Sequence, residues 1–259
     1  MQNLFSIFLL YHVTSSSSLC DNQCLIACAN SDPACASVWD APVPISFTTR
    51  FLLESGKTFD VIVDNSSFAF PMSRRFFILS KLNYFMGSPF YRVLRNSTSS
   101  FVAQVGYRGA VEVDQAWINL QTSNDTVRVL PPGNIRGTVA FGTNEVPGPR
   151  ANCTASFCSL GFSVELFINT ADNANLDDAD FSPFGRVDDA GMQVVDNLYS
   201  DYGELSDLCA NGDRDGYCVS DGNGGYRGVN LTYFLNDGGN NYIHNNFPKL
   251  DAVSGVFIL

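Results

Sequence analysis

The sequence predicts a mainly β fold, a closed barrel whose ends are plugged by two helices; a sandwich of two sheets fits the same pattern nearly as well. Three observations carry the prediction. Short runs rich in β-branched and aromatic residues recur between turn signals. Only two segments place apolar residues at helical spacing. The chain has 259 residues, 45% hydrophobic and 16% charged, which suits a globular protein with a sizeable core and not a disordered one. A net charge of -11 argues against non-specific nucleic-acid binding, which needs clustered Lys and Arg to displace counterions.

From the start of the chain, Leu4 to Val13 is an apolar run followed by Thr14 and Ser15 to Ser18. Small residues after such a run suit signal-peptidase cleavage, so residues 1–18 read as a signal peptide. The run is too short for a membrane span, which needs about twenty apolar residues; a buried N-terminal strand is the competing reading. Residues 19–43 form a Cys-, Asp-, Ser- and Ala-rich extension clipped onto the main domain, which occupies 44–259. That domain divides into a core, 45–204, and a Gly/Asp-rich loop extension, 205–259.

Within the core, Phe47 to Leu53 and Thr58 to Asp64 read as strands around the turn Glu54-Ser55-Gly56-Lys57, with Phe59, Val61 and Val63 alternating against polar neighbours. Pro71 opens a helix with Met72, Phe76 and Leu79 on one face. Further strands are expected around Phe90–Leu94, Phe101–Gly106, Thr138–Phe141 and Val164–Asn169. The second helix follows Asp188 and Asp189, with Met192, Val195, Leu198 and Tyr199 on its apolar face. Leu205 to Asn241 is rich in Gly, Asp and Asn and reads as long loops; Phe247 to Asp251 returns to apolar packing.

The chain has eight cysteines: Cys20, Cys24, Cys28, Cys35, Cys153, Cys158, Cys209 and Cys218. An even count in an export context suggests disulfides. Zinc is the rival, but the chain has two His and lacks the paired CxxC spacing of a structural site. Sequons at Asn65, Asn96, Asn124, Asn152 and Asn230 agree with a secreted or secretory-lumen glycoprotein. A Cys153–Cys158 pair would clip the loop from Asn144 to Phe162, although eight cysteines allow about 105 pairings. Asn211-Gly212-Asp213-Arg214-Asp215-Gly216 has the opening spacing of a calcium loop, but Gly222 stands where a bidentate Glu is needed. Cys209 and Cys218 bracket it, which favours a disulfide-closed turn.

Phe90-Tyr91-Arg92-Val93-Leu94, Phe101-Val102-Ala103-Gln104, Glu165-Leu166-Phe167-Ile168-Asn169, Leu176-Asp177 and Phe184-Gly185-Arg186-Val187 occur in this order. Read together, they resemble a cyclophilin, over roughly residues 45 to 204, with the tail to Asp251 a weaker match to bacterial-type members. The resemblance implies an eight-stranded antiparallel barrel capped by two helices, with an outer groove that binds X-Pro segments. It implies peptidyl-prolyl cis-trans isomerase activity on polypeptides, with Arg92 as the catalytic arginine. Phe101, Val102 and Gln104 fall on the groove wall, and Phe141, Gly142 and Thr143 on the strand that receives the substrate backbone. Phe167 falls on the floor of the proline pocket, and Leu176 and Phe181 on its rim. No cofactor or metal is implied; the partners expected are proline-containing polypeptides, bound by a monomer without stable membrane insertion.

The chemistry can be stated from the residues. An X-Pro amide crosses a barrier of about 20 kcal/mol because its C–N bond has partial double-bond character. A guanidinium that donates to the proline nitrogen stabilises the twisted amide more than either planar form, which is the condition for catalysis. Three substitutions depart from the family pattern. Tyr91 replaces the usual His before the arginine, Glu165 replaces the usual Gln before the pocket-floor Phe, and Asn175 stands where Trp often precedes Leu-Asp. A Glu165 paired with Arg92 would compete with substrate for the guanidinium. Arg95 to Ser100 is an insertion before the pocket Phe and carries a sequon. These features support an alternative, a catalytically weak module that binds proline peptides. A structural glycoprotein reusing the barrel is the third reading, and it should bind no peptide.

Overall fold

In the computed structural model, eight strands form one antiparallel sheet: β1 (Ser46–Leu53), β2 (Thr58–Asp64), β3 (Arg92–Arg95), β4 (Ser100–Val105), β5 (Thr138–Pro147), β6 (Phe157–Asn169), β7 (Pro183–Val187) and β8 (Val253–Ile258). The order across the sheet is β3-β4-β6-β5-β7-β2-β1-β8. The structure describes residues 20–65, 70–122, 129–150, 153–212 and 216–259. The leader, the sequons at Asn124 and Asn152, and Asp213 to Asp215 of the calcium-type loop lie outside these residues.

The period of two that marks the strands in the sequence decides which side chains point inward. In β1, Phe47, Thr49, Phe51 and Leu53 are buried, and in β2 Phe59, Val61 and Val63. Phe51 lies opposite Phe59 with ring centroids 5.0 Å apart. The turn between them closes through the Leu53 amide on the Lys57 carbonyl, with Gly56 at φ +80°, a conformation glycine adopts without a Cβ penalty. The sheet curls into a half-barrel around these residues. Its edge strands, β3 and β8, do not pair with each other, but the segments leading into them do. Gly87 donates to Val253, Phe90 to Asp251, and Val253 to Ser88.

Both segments read as helical are helices, but the second ends at Val195, so Leu198 and Tyr199, expected on its apolar face, lie beyond it. Phe70–Lys81 buries Met72, Phe76 and Leu79 completely in the sheet's core. Asp189–Val195 is capped by Asp188, whose carboxylate accepts from the Gly191 amide at 2.8 Å, and it places Met192 and Val195 in the same core.

Elsewhere the chain is more ordered than expected. Asn22–Ala29 and Val111–Asn119 are helices that pack on each other. Trp117 reaches across to donate to the Leu25 carbonyl at 3.0 Å. Leu25 and Cys28 belong to the main core, and Trp39 stacks on Trp117 at 5.8 Å, so the extension is built into the domain. The span from Leu205 to Asn241 is not only loops: Ser206–Cys209 is helical, and helical turns run from Leu231 into Gly239–Asn246. Gly and Asn dilute the apolar period there, yet Phe234, Ile243 and Phe247 are buried together with Tyr91 and Leu205 in a second cluster. The loop from Asn144 to Phe162 is largely a continuation of β5 and β6, paired as far as Pro147 with Phe157. β7 and β8 escape the period-two reading because Pro183, Gly185 and Gly255 interrupt their alternation. All eight cysteines are paired: Cys20–Cys24, Cys28–Cys35, Cys153–Cys158 and Cys209–Cys218. Among the described residues no helix is long and apolar enough to cross a membrane.

Candidate active site

The alternation that buries one face of β3, β4, β5 and β6 presents the other face outward. Val93, Ala103, Val105, Val139, Phe141, Leu166 and Ile168 go to the core. Their neighbours Arg92, Val102, Gln104, Ala140, Glu165 and Phe167 therefore go to the outside. Strand register lines them up: Arg92 is opposite Gln104, Gln104 opposite Phe167, and Phe167 opposite Ala140. A cavity of about 580 Å³ lies over this row, within the range of small-ligand and peptide sites.

One half of the cavity is apolar. Val102, Phe167, Leu176 and Phe181 form a cluster with Ala140 and Ala179, separate from the main core, and Phe101 packs against it. Phe167 and Phe181 meet edge to face at 5.8 Å. A buried amide network fixes this half from behind. Asn134 donates to the Phe181 carbonyl at 2.6 Å and to Asp177 at 2.7 Å. Asn169 donates to Asn134 and to Thr138, and Asn173 donates to Asn169 and to the Phe101 carbonyl. The backbones of Phe101 and Phe181, on opposite sides of the pocket, are thus tied through one set of amides.

The other half is charged. Arg92 is held in fork geometry by Glu204: Nε donates to Oε1 at 2.6 Å and Nη2 donates to Oε2. Nη1 donates to the Gln104 side-chain carbonyl. A guanidinium has five N–H donors, so two stay uncommitted among the described residues. The Arg92 and Glu204 side chains are 16% and 12% exposed. Glu165, for which pairing with Arg92 is one of two open readings of the sequence, has other partners. It accepts from Tyr91 Oη, from Gln104 Nε2 at 2.8 Å and from Tyr107 Oη at 3.0 Å. Burial pushes the Glu165 carboxyl up, against the pull of the two tyrosine hydrogen bonds and Arg92. Burial likewise drives the Tyr91 and Tyr107 hydroxyls well above their usual range, which keeps both protonated as donors. At the cavity mouth Glu145 is exposed as a residue, but partial desolvation of its carboxyl in the cavity raises it, with Arg92 opposing the rise and Glu165 adding to it.

The cavity therefore gathers Arg92, Phe101, Val102, Gln104, Gly142, Thr143, Glu165, Phe167, Leu176 and Phe181. Two of the residues singled out from sequence are not on its wall. Tyr91 is buried behind Glu165 among Phe234 and Tyr107. The Phe141 side chain points into the core of the half-barrel, 4.9 Å from Phe162 and 5.0 Å from Phe184. A Cβ at Gly142 would lie 2.6 Å from Glu165 Cδ, so any larger residue there would have to displace the Glu165 side chain. Residues that the sequence reading did not assign complete the wall, chiefly Glu145, Phe157, Glu204, Leu208 and Tyr217. Only the Cys209–Cys218 bracket hinted that the tail folds back here, and nothing local marked Glu204. Among the described residues one group could hold a metal, Cys20, Cys24 and Cys28, and its sulfurs are engaged in disulfides.

Residues 67–210, more than half of the chain, match the family model described as cyclophilin type peptidyl-prolyl cis-trans isomerase/CLD. Solved structures similar to the chain include a Cryptosporidium parvum cyclophilin type peptidyl-prolyl cis-trans isomerase, at 12% identity, 83% coverage of this chain, 98% of that chain and a TM-score of 0.45. The same protein in the presence of the dipeptide Ala-Pro matches at 10% identity, 82% and 98% coverage, and a TM-score of 0.41. The Mimivirus cyclophilin matches at 12% identity, 84% and 91% coverage, and a TM-score of 0.41. Comparison with curated proteins finds no match.

Proposed function

We propose that this chain, which belongs to the cyclophilin-type peptidyl-prolyl cis-trans isomerase family, catalyses cis/trans isomerisation of X-Pro bonds in polypeptides. The observation that carries the reading is the row formed by Arg92, Gln104 and Phe167 across three paired strands, facing one cavity that is apolar at one end and charged at the other. In this reading the pyrrolidine ring sits among Phe101, Phe167, Leu176 and Phe181. The uncommitted N–H groups of Arg92 face the imide and stabilise the twisted amide more than the planar one. Gln104 and the backbone at Gly142 and Thr143 hold the flanking peptide. The curled sheet is read as a closed barrel, supported by the backbone bonds between 87–90 and 251–253, with the helices Phe70–Lys81 and Asp189–Val195 at its ends.

The alternative, a proline-peptide binding module with little catalysis, is favoured by one observation: the fork between Glu204 and Arg92 occupies three of the five donors together with Gln104. Exchange NMR on an Ala-Pro peptide separates the two readings. Accelerated exchange with the wild type, lost in Arg92→Ala, is the expected result. Shift changes without acceleration would replace the isomerase with the binding module, and neither response would leave only the fold. We further place the protein in the secretory pathway or outside the cell, on the apolar leader, the eight cysteines and the sequons. Glycosidase-sensitive mobility of the chain recovered from secretory cells is the matching test.

A further inference from the structure

Arg92 is the only cation on the cavity wall among the described residues, against three carboxylates, Glu145, Glu165 and Glu204. Each carboxylate is placed differently. Glu165 is satisfied by Tyr91, Tyr107 and Gln104. Glu145 stands exposed at the mouth. Glu204 is committed to Arg92, and its position is set by backbone. Its amide donates to the Tyr217 carbonyl at 3.0 Å, and the Leu205 amide donates back to Glu204 Oε1 at 2.6 Å. Gly203 before it has φ +73°, and a Cβ there would lie 2.3 Å from the Tyr217 carbonyl oxygen. Leu205 after it is buried with Tyr91 and Phe234. The Cys209–Cys218 bridge closes the same loop. Glu204 is thus aimed at the arginine by a fixed frame, and its carboxylate is not the end of a free side chain.

This arrangement has a consequence for what can bind. A neutral peptide must use the donors that Glu204 and Gln104 leave over. An acidic side chain beside the proline meets an excess of carboxylates, and like charges in a partly desolvated site repel. A cationic side chain can take the place of Arg92 on Glu204, which frees the guanidinium while Glu204 stays paired. We infer that Glu204 is a specificity-determining residue that selects polypeptides with Lys or Arg beside the proline, the substrate cation exchanging with Arg92 at its carboxylate. The inference rests on the isomerase reading for its use of the proline pocket and adds the substrate class.

The test uses the full oxidised protein with three labelled peptides that differ only beside the proline: Lys, Ala or Glu. Dissociation constants come from fluorescence anisotropy and isomerisation rates from exchange NMR, for wild type and Glu204→Gln. The wild type should bind the Lys peptide at least about tenfold more tightly than the Glu peptide, or about 1.4 kcal/mol. The difference should shrink as salt rises from about 0.05 to about 0.5 M, a measurement that needs no variant. Glu204→Gln should bind the three peptides alike and isomerise the Ala peptide faster than wild type. Equal binding of Lys and Glu peptides by the wild type, or an unchanged order in Glu204→Gln, overturns the inference. Equal catalysis of all three peptides does so while leaving the isomerase intact. A charge-ordered affinity without catalysis overturns the isomerase and keeps Glu204, and no binding of any peptide overturns both.

Discussion

At the scale of single residues, the departures at Tyr91 and Glu165 belong together. A carboxylate in place of an amide needs donors, and Tyr91 supplies one from the position just before the strand that carries Arg92. Tyr91→Phe should cost about 1 to 3 kcal/mol, the usual cost of leaving a desolvated polar group without its partner. Glu165→Gln should lessen that cost, giving a coupling of about 1 kcal/mol or more in a urea-denaturation double-mutant cycle. The sequence showed both substitutions but not their contact, because residues 91 and 165 lie far apart along the chain and meet only through β4. Asp114 offers a different test. It accepts from Tyr84 Oη and from the Arg108 and Gly109 amides, yet burial holds its carboxyl up at about 6, above the roughly 3.9 of an unfolded chain. Between those values the native state binds the extra proton, so Asp114 makes stability fall as pH climbs from about 4 to about 6, by about 2 to 3 kcal/mol. Denaturation curves across that window should fall less steeply in Asp114→Asn than in wild type, the remaining slope coming from the raised carboxyls of Glu165 and Glu145.

At the scale of elements, period two made the site's main row legible. Once β3, β4 and β6 are strands, burying Val93, Ala103 and Leu166 puts Arg92, Gln104 and Glu165 outside. The elements that stayed hidden have mixed signals. Val111 and Val113 alternate like a strand, and the helix there exists because Val113 and Trp117, four apart, both bury. The Asn134–Asn169–Asn173 network was equally silent, since three asparagines in a Gly/Asp/Asn-rich chain read as turn residues. Their burial gives them another role, holding the Phe101 and Phe181 backbones at a common spacing. Asn169→Ala should destabilise the fold by about 2 to 3 kcal/mol by stranding Asn134 and Asn173. It should also weaken peptide binding more than a change of equal stability cost elsewhere, for instance Ile168→Val with a further core truncation. Calorimetry for stability and anisotropy for binding separate the two effects.

For the whole molecule, the extension before β1 matters more than its composition suggested. Leu25 is fully buried and Trp117 donates to its carbonyl, so Leu25→Ala should lower global stability by about 2 to 5 kcal/mol, as truncation in a packed core does. A loss confined to hydrogen exchange in residues 20–43, with the global midpoint unchanged, would instead describe an independently docked arm. The tail is similar: Gly and Asn conceal a second apolar cluster that carries Glu204 to the groove. β8 then sets the terms of assembly. It pairs along β1 from Thr49 to Leu53, joining the first and last strands, and every other strand lies between them in sequence. During vectorial synthesis β1 must wait with one edge open until the β8 segment has emerged, a long exposure for a row of free N–H and C=O groups beside Phe51 and Leu53. A nascent chain that has not yet made β8 should therefore aggregate more readily than one that has, and the yield in cells should depend on shielding of that edge more than on the final stability of the fold.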